Sequence, residues 1–261
     1  MIDTHCHLEQ SDYDHDRSTV VARSRRGLHA IVVSCVHPRN FISTVQLVTK
    51  YRGFVFATAS IHPSYVRDIE ERGVNDYLKQ IASMRHNLVG IGETGLDYNW
   101  VKDSQWRERQ KHLFVQFIKL GNELQLPLVI HSRDATEKVL CVLKQYAETP
   151  IHMHMFTRRS ALPQVIDQGW FISVNTLLLQ SKTVRKIVRD CPMDRLMLET
   201  DAPWLGVGED GKIKPKDEVR NEPTAVRAVA QKIAEIKKLT IDEVDAQTTK
   251  NAVDFYHLVL E

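Results

Sequence analysis

Close to its N-terminus the chain reads Ile2-Asp3-Thr4-His5-Cys6-His7, a stretch with two histidines that predicts the end of a first β-strand. Alternate side chains of a strand point to the same face, so His5 and His7 share one face. Two imidazoles about 6–7 Å apart along a strand can converge on one metal ion, and imidazole suits Zn, Ni, Mn or Fe. No Gly-rich nucleotide-binding fingerprint follows this strand.

Outward from this stretch, short apolar runs alternate with longer amphipathic segments along the whole chain. The short runs predict strands and the amphipathic segments predict helices. The predicted strands cover residues 2–7, 30–35, 55–62, 88–93, 128–131, 151–156, 170–174 and 196–200. Helical segments lie between them, and two more, near 222–238 and 241–259, follow the last strand.

Eight βα units with strands that are apolar on both faces indicate a parallel sheet covered by helices. Closure of this sheet gives a (β/α)₈ TIM barrel, and an open doubly wound sheet is the alternative. A length of 261 residues suits one barrel, so we predict a single α/β domain over residues 1–261. Its functional groups are expected at the C-terminal mouth of the strands.

The composition is that of an ordinary globular protein, with 43% hydrophobic residues and a formal charge of +2. This charge neither requires nor excludes a polyanionic partner. The four cysteines are widely spaced, which favours reduced thiols over disulfides or a zinc finger. No apolar run is long enough for a membrane span, and the first strand leaves no room for a signal peptide, so we expect a cytoplasmic protein without a membrane partner.

Metal-type ligands recur at the ends of six predicted strands: His5 and His7, His62, Glu93, His131, His154 and Asp201. Any one of them alone would be compatible with an ordinary buried or turn residue, but such a series is hard to explain by chance. Gly90 and Gly92 leave space beside Glu93, whose carboxylate can bridge two ions. Asp201 can act as a ligand or as a base toward water. We therefore expect two divalent ions rather than one.

Six motifs stand in order along the chain: Asp3-Thr-His-Cys-His-Leu8, Ile61-His-Pro63, Gly92-Glu-Thr-Gly-Leu-Asp97, His131-Ser-Arg-Asp134, His154-Met-Phe156 and Glu199-Thr-Asp-Ala-Pro203. Together they resemble the signature of the TatD family of metal-dependent deoxyribonucleases, over nearly the whole chain. The resemblance implies an amidohydrolase-like TIM barrel that uses Mg, Mn or Zn. It also implies a set of roles: His5, His7 and Asp201 for one ion, His131 and His154 for a second, Glu93 as the bridge, and His62 facing the site or a phosphate.

Several cations and one aromatic residue are candidates for substrate contacts. Arg133, Arg158 and Arg220 have guanidinium groups that match a phosphate bidentately, and Trp204 can stack on a base or ribose. Arg158 stands where the family usually has a glycine, and a cation there favours a polyanionic substrate; pairing with a surface carboxylate is the alternative. His152 lies nearer the start of its strand than His154, so we expect it to pack in the core.

The leading hypothesis is a divalent-metal phosphodiesterase, a TatD-type 3′–5′ exonuclease on DNA, with single strands or 3′ ends as the substrate. Asp201 and Glu93 are the predicted catalytic residues. One alternative is a metal-dependent hydrolase of esters or amides, such as a D-aminoacyl-tRNA deacylase, because a fold does not determine a reaction. Another is a catalytically inactive nucleic-acid-binding or scaffold protein.

Overall fold

The computed structural model describes residues 1–260, whose eight strands form one parallel sheet in sequence order. The strands are β1 (Ile2–Cys6), β2 (Ala30–Cys35), β3 (Val55–Ala59), β4 (Gly90–Asp97), β5 (Leu128–Arg133), β6 (Ile151–Met153), β7 (Phe171–Val174) and β8 (Leu196–Leu198). Each strand pairs in parallel with the next. The predicted α/β barrel is confirmed.

Helices follow the strands and cover the outside of the sheet. They are α1 (Arg17–Ser24), α2 (Phe41–Lys50), α3 (Glu71–Ser83), α4 (Ser104–Leu124), α5 (Thr136–Tyr146), α6 (Leu162–Asp167), α7 (Lys182–Asp190), α8 (Val226–Lys237) and α9 (Ile241–Tyr256). Within residues 1–260, none of them combines the length and the apolar character that crossing a membrane requires.

The core forms because the strands are buried on both faces and each helix buries one side. Every residue of β1, β2 and β4 is buried, as expected for a parallel sheet between layers. In α3, Val74, Tyr77 and Ile81 recur at helical spacing and are the buried residues of that helix. Full burial of one aliphatic side chain contributes roughly 1.5–3 kcal/mol, so this spacing holds the helix against the sheet.

The barrel closes between β8 and β1 through the backbone that follows β8. Asp201 N donates a hydrogen bond to His5 O at 2.9 Å. The buried carboxylate of Asp3 accepts hydrogen bonds from Thr200 N at 3.0 Å and from Thr200 Oγ1 at 2.6 Å. These bonds involve the segments that carry His5 and Asp201, so closure of the barrel brings the two residues together.

Strand ends differ from the sequence-based prediction where local backbone geometry intervenes. β4 continues past Glu93, because Gly95 lets its backbone approach β5 closely. A Cβ atom at Gly95 would lie 2.0 Å from His131 O, and its φ of 148° favours glycine. β3 ends before the short 3₁₀ turn Pro63–Tyr65, and β6 ends before Met155, which has a φ of 45°. The ligand candidates His62 and His154, which follow β3 and β6, therefore lie on loops.

Candidate metal centre

Glu93 lies at the centre of a buried group of histidines at the C-terminal mouth of the barrel. Its Oε2 atom lies 3.3 Å from His5 Nε2 and 3.8 Å from His7 Nε2. Its Oε1 atom lies 2.6 Å from His131 Nδ1 and 2.7 Å from His154 Nε2. The two carboxylate oxygens therefore face different pairs of imidazoles, which is the geometry expected of a bridging ligand.

The barrel interior brings together histidines from strands that are not neighbours in the sheet. His5 lies on β1 and His154 follows β6, yet their rings stack with centroids 4.1 Å apart. The His5 and His7 rings meet edge to face at 4.9 Å, because alternate residues of a strand share a face. The histidines predicted at separate strand ends therefore form one cluster.

The two remaining strand-end candidates also reach this cluster. Asp201 Oδ1 lies 3.4 Å from His7 Nε2 and 3.7 Å from His5 Nε2, and the Asp201 side chain is 16% exposed. His62 Nε2 lies 3.4 Å from Glu93 Oε1. Asp201 thus lies on the side of His5 and His7, and His62 lies on the side of His131; both side chains are partly exposed.

Opposite charges stabilise the cluster against the cost of its burial. Burial acts to raise the pKa of Glu93, but His154, His62 and His131 outweigh burial and hold that pKa well below its usual range. Burial acts to lower the pKa of His154, but Glu93 and Glu199 outweigh it and raise that pKa well above the ordinary value. Glu93 therefore stays ionised in the buried site.

The donor set fits divalent metal ions. Three groups of side chains each bring their ligand atoms within 4.8 Å of one another: His5, His7 and Glu93; His5, His154 and Glu199; and His62, Glu93 and His131. The buried His5 Nε2 and His7 Nε2 atoms lie 3.2 Å apart, and both face carboxylate oxygens. A cation between such donors satisfies both imidazoles at once, as neutral imidazole and carboxylate are ordinary ligands for Zn and Mn.

Two acidic residues that sequence reasoning did not assign hold the outer sides of these rings. Asp97 Oδ2 accepts a hydrogen bond from His131 Nε2 at 3.0 Å, and Glu199 Oε2 lies 3.6 Å from His154 Nδ1. Metal-binding histidines commonly donate a hydrogen bond from their second nitrogen to a carboxylate, which fixes the ring. His131 does so here, whereas His154 Nδ1 faces Glu199 from beyond hydrogen-bond distance. Strand alternation would have identified Asp97, because it shares the parity of Glu93.

His152 lies outside the cluster but is connected to it through hydrogen bonds. Its Nδ1 atom lies 2.7 Å from Tyr256 Oη and its Nε2 atom 2.6 Å from Ser173 Oγ. Ser173 Oγ donates to Glu199 Oε2 at 2.6 Å, so it accepts from His152 Nε2–H. The predicted packing role of His152 is confirmed, and its chain of hydrogen bonds also supports Glu199.

The arginines predicted to bind phosphate lie in different environments. Arg158 is 60% exposed and its Nη2 atom lies 3.3 Å from Glu137 Oε1. Arg220 donates to both carboxylate oxygens of Asp16, at 2.8 and 2.6 Å. Arg133 is the last residue of β5 and takes part in none of the ion pairs formed within residues 1–260. Arg158 and Arg220 are therefore already paired, and Arg133 keeps its charge for another partner.

Trp204 borders the cluster. Its ring meets the His7 ring edge to face at 5.2 Å, and Lys216 Nζ lies 5.2 Å from the centre of the Trp204 ring. Trp204 begins the irregular stretch 204–221, which contains one short pairing between Val207 and Ile213. This stretch therefore begins beside the candidate metal centre.

Comparison with known proteins places the chain among relatives along nearly all of its length. A family model described as TatD related DNase matches residues 2–257. The chain belongs to the TatD family. The resemblance that the sequence motifs indicated is therefore confirmed, and the match runs from the first strand past the last helix.

TatD relatives of similar length occur in distant organisms. Deoxyribonuclease TATDN3 of Homo sapiens is 29% identical over 98% of this chain and 94% of its own. The uncharacterized metal-dependent hydrolase YabD of Bacillus subtilis is 32% identical over 99% of each chain. A crystal structure of a TatD family hydrolase from Entamoeba histolytica superposes with a TM-score of 0.88 at 22% identity, over 99% of this chain and 98% of its own. That likeness supports the fold.

These relationships define the general chemistry of this TatD protein. It is a metal-dependent hydrolase that acts on ester bonds and uses divalent metal. The histidine and glutamate groups at the mouth of the barrel are its candidate metal-binding groups.

Proposed function

We propose that this TatD hydrolase is a two-metal phosphodiesterase that removes nucleotides from the 3′ ends of DNA, with single-stranded ends preferred. The observation that carries the proposal is the position of Glu93, whose two oxygens face separate imidazole pairs. The name of the human relative, Deoxyribonuclease TATDN3, supports DNA as the substrate.

The proposed ligands divide into two sets that share Glu93. His5, His7 and Asp201 hold one ion, and His131 and His154 hold the other. The ions are Mg, Mn or Zn, which accept this mixture of imidazole and carboxylate. Glu93 Oε2 lies on the side of His5 and Glu93 Oε1 on the side of His131, which supports this division.

Asp201 is the proposed general base. When bound, the divalent ions supply Lewis acidity that stabilises negative charge on the phosphoryl group and lowers the pKa of water. Burial acts to raise the pKa of Asp201, but the adjacent His7 outweighs it and lowers that pKa, so the carboxylate is ionised and accepts the proton of the attacking water. Its partial exposure gives water access to it.

The proposed substrate contacts surround this centre. Arg133 binds a phosphate, since its guanidinium group has no carboxylate partner within residues 1–260. His62 and Trp204 border the cluster from two sides and contact the terminal nucleotide. Arg158 and Arg220 contribute mainly through the long-range field, because each is held by a carboxylate.

The test is hydrolysis by protein that has been stripped with EDTA and reloaded with Mg²⁺, Mn²⁺ or Zn²⁺. Substrates labelled at the 5′ end include single-stranded DNA, double-stranded DNA and single-stranded RNA, and an aminoacyl ester serves as the non-phosphate substrate. We expect stepwise shortening of single-stranded DNA from its 3′ end, at a rate that depends on metal. Faster turnover of the aminoacyl ester than of any nucleic acid, or cleavage of DNA by the stripped protein, would contradict the proposal.

A further inference from the structure

Trp100 exposes its indole ring at the mouth of the barrel. It is 68% exposed, although side chains with such large apolar surfaces are usually well covered. It lies just beyond β4, the strand that carries Glu93 and ends at Asp97. Exposure of a tryptophan cannot be read from the residue alone, so the sequence pattern does not distinguish Trp100.

A single carboxylate connects the backbone of Trp100 to the metal centre. Asp97 Oδ1 accepts hydrogen bonds from Asn99 N at 2.9 Å and from Trp100 N at 2.8 Å. The other oxygen of the same carboxylate, Oδ2, accepts from His131 Nε2 at 3.0 Å. Because both oxygens are engaged, the position of Trp100 is fixed relative to the candidate ligand His131.

The rest of this loop is also held in place. Arg107 Nε donates to Val101 O at 2.8 Å and Arg107 Nη2 donates to Tyr98 O at 3.2 Å. The side chain of Val101 is buried. The indole of Trp100 thus projects from a backbone that is anchored on both sides. Stacking of a ligand on it therefore costs little conformational entropy of the loop backbone.

Arg133 stands beside this indole with its charge available. Its guanidinium carbon lies 5.9 Å from the centre of the Trp100 ring. The side-chain amide of Asn99 lies within 3.2 Å of the Arg133 guanidinium nitrogens, which orients the group without neutralising it. Since Arg133 forms no ion pair within residues 1–260, an anion at this position meets an uncompensated cation.

Most cations in the segment that follows β8 are, by contrast, paired with carboxylates. Lys214 Nζ lies 2.9 Å from Asp210 Oδ2, and Lys216 Nζ lies 2.7 Å from Asp12 Oδ1. Arg220 is held by Asp16. Of the four cations in the stretch 204–221, only Lys212 forms no ion pair within residues 1–260. Arg133, on the side where Trp100 offers a stacking face, is likewise available to a polyanion.

We propose that Trp100 and Arg133 form a nucleotide subsite for single-stranded DNA next to the metal centre. A nucleobase stacks on the indole of Trp100, and the guanidinium group of Arg133 binds a phosphate of the same strand. A base stacked on Trp100 has left its duplex partner, so the subsite selects single strands. The inference rests on the proposed function, since it names the strand that the phosphodiesterase site would cleave.

The test compares a single-stranded oligonucleotide with an abasic oligonucleotide of the same length, which keeps the phosphates and lacks the bases. Dissociation constants are measured by fluorescence anisotropy in EDTA, and KM is measured with metal. Trp100→Ala should raise both constants about tenfold for the normal strand and much less for the abasic strand. Trp100→Phe keeps a stacking ring and should restore most of the affinity. Ile42→Ala removes an exposed apolar side chain on α2 and serves as the matched control.

Arg133→Ala should weaken binding of both oligonucleotides and reduce the slope of log Kd against log salt by about one. Equal effects of Trp100→Ala on the normal and abasic strands, or an unaltered salt slope in Arg133→Ala, would overturn the subsite. Failure of the wild-type protein to cleave any oligonucleotide would instead overturn the proposed function. The anisotropy comparison would still decide the subsite in that case, because it requires no turnover.

Discussion

Glu199 Oε2 lies 3.6 Å from His154 Nδ1, on the side of the imidazole ring opposite to the nitrogen that faces Glu93. Glu199 is itself held, since Ser173 Oγ donates to its Oε2 at 2.6 Å and Asn175 Nδ2 donates to its Oε1 at 3.2 Å. A fixed, buried carboxylate behind a metal-binding histidine orients the ring and strengthens it as a ligand. We therefore predict that Glu199 positions His154 through its negative charge.

Replacing Glu199 with glutamine should weaken metal binding while preserving the barrel. The amide has nearly the same size but lacks the negative charge, so we expect roughly 10–100-fold lower affinity for Zn²⁺ or Mn²⁺. Competition with a chelating dye measures this affinity. Glu137→Gln, at an exposed position, is the control, and equal affinities in the two variants would show that Glu199 does not support the site.

Replacing Asp201 with asparagine should remove most of the turnover and leave the fold intact. The amide still coordinates weakly but cannot accept a proton, and loss of a general base typically costs about 10²–10⁴-fold in rate. Single-turnover hydrolysis of labelled DNA gives the rate, and elemental analysis gives the metal content. Asp76→Asn, an exposed position on α3, should match the wild type. Turnover close to wild type in folded Asp201→Asn protein would mean that another group is the base.

Replacing Gly95 with alanine should destabilise the protein and displace His131. The new Cβ atom would lie 2.0 Å from His131 O, and the φ of Gly95 is 148°. Overpacking and backbone strain of this kind each cost about 1–3 kcal/mol, so we expect the free energy of unfolding in urea to fall by at least about 2 kcal/mol. In Gly27→Ala the nearest atom would lie 4.0 Å away, and we expect no comparable loss. Equal stability of the two variants would contradict the close approach of β4 to β5.

Replacing Arg158 with glycine, the residue usual in the family, tests whether this departure affects the substrate. Arg158 and Glu137 are both exposed and lie 3.3 Å apart, and such surface pairs contribute about 0–1 kcal/mol. We therefore expect Arg158→Gly to change the salt dependence of oligonucleotide binding less than Arg133→Ala does. If Arg158→Gly reduced the slope of log Kd against log salt as much as Arg133→Ala does, Arg158 would contact phosphate directly.

The barrel and the cluster were predictable because their signals are local in the sequence. Alternation of strands and helices follows from short-range periodicity, and strand parity alone puts His5 and His7 on one face. The positions of parallel strand ends then follow from the fold class. His131, His154 and Glu93 converge for that reason.

Partners that come from distant parts of the chain were not predictable. Arg220 pairs with Asp16, which lies 204 residues away, so no local pattern distinguishes it from a free cation. The ends of β4 and β6 depend on glycine geometry and on the positive φ of Met155, which strand propensity does not encode. The supporting role of Glu199 required the position of the His154 ring.

The hydrogen bonds that close the barrel affect when the site can assemble during folding. Asp3 and Thr200 are separated by 197 residues, and contacts this distant in sequence form late in folding. A growing polypeptide contains His5, Glu93 and His131 long before Asp201 has been synthesised. Assembly of Asp201 with His5 and His7 therefore waits for β8, and a partly made chain would carry most of the candidate ligands without the residue that we propose as the general base.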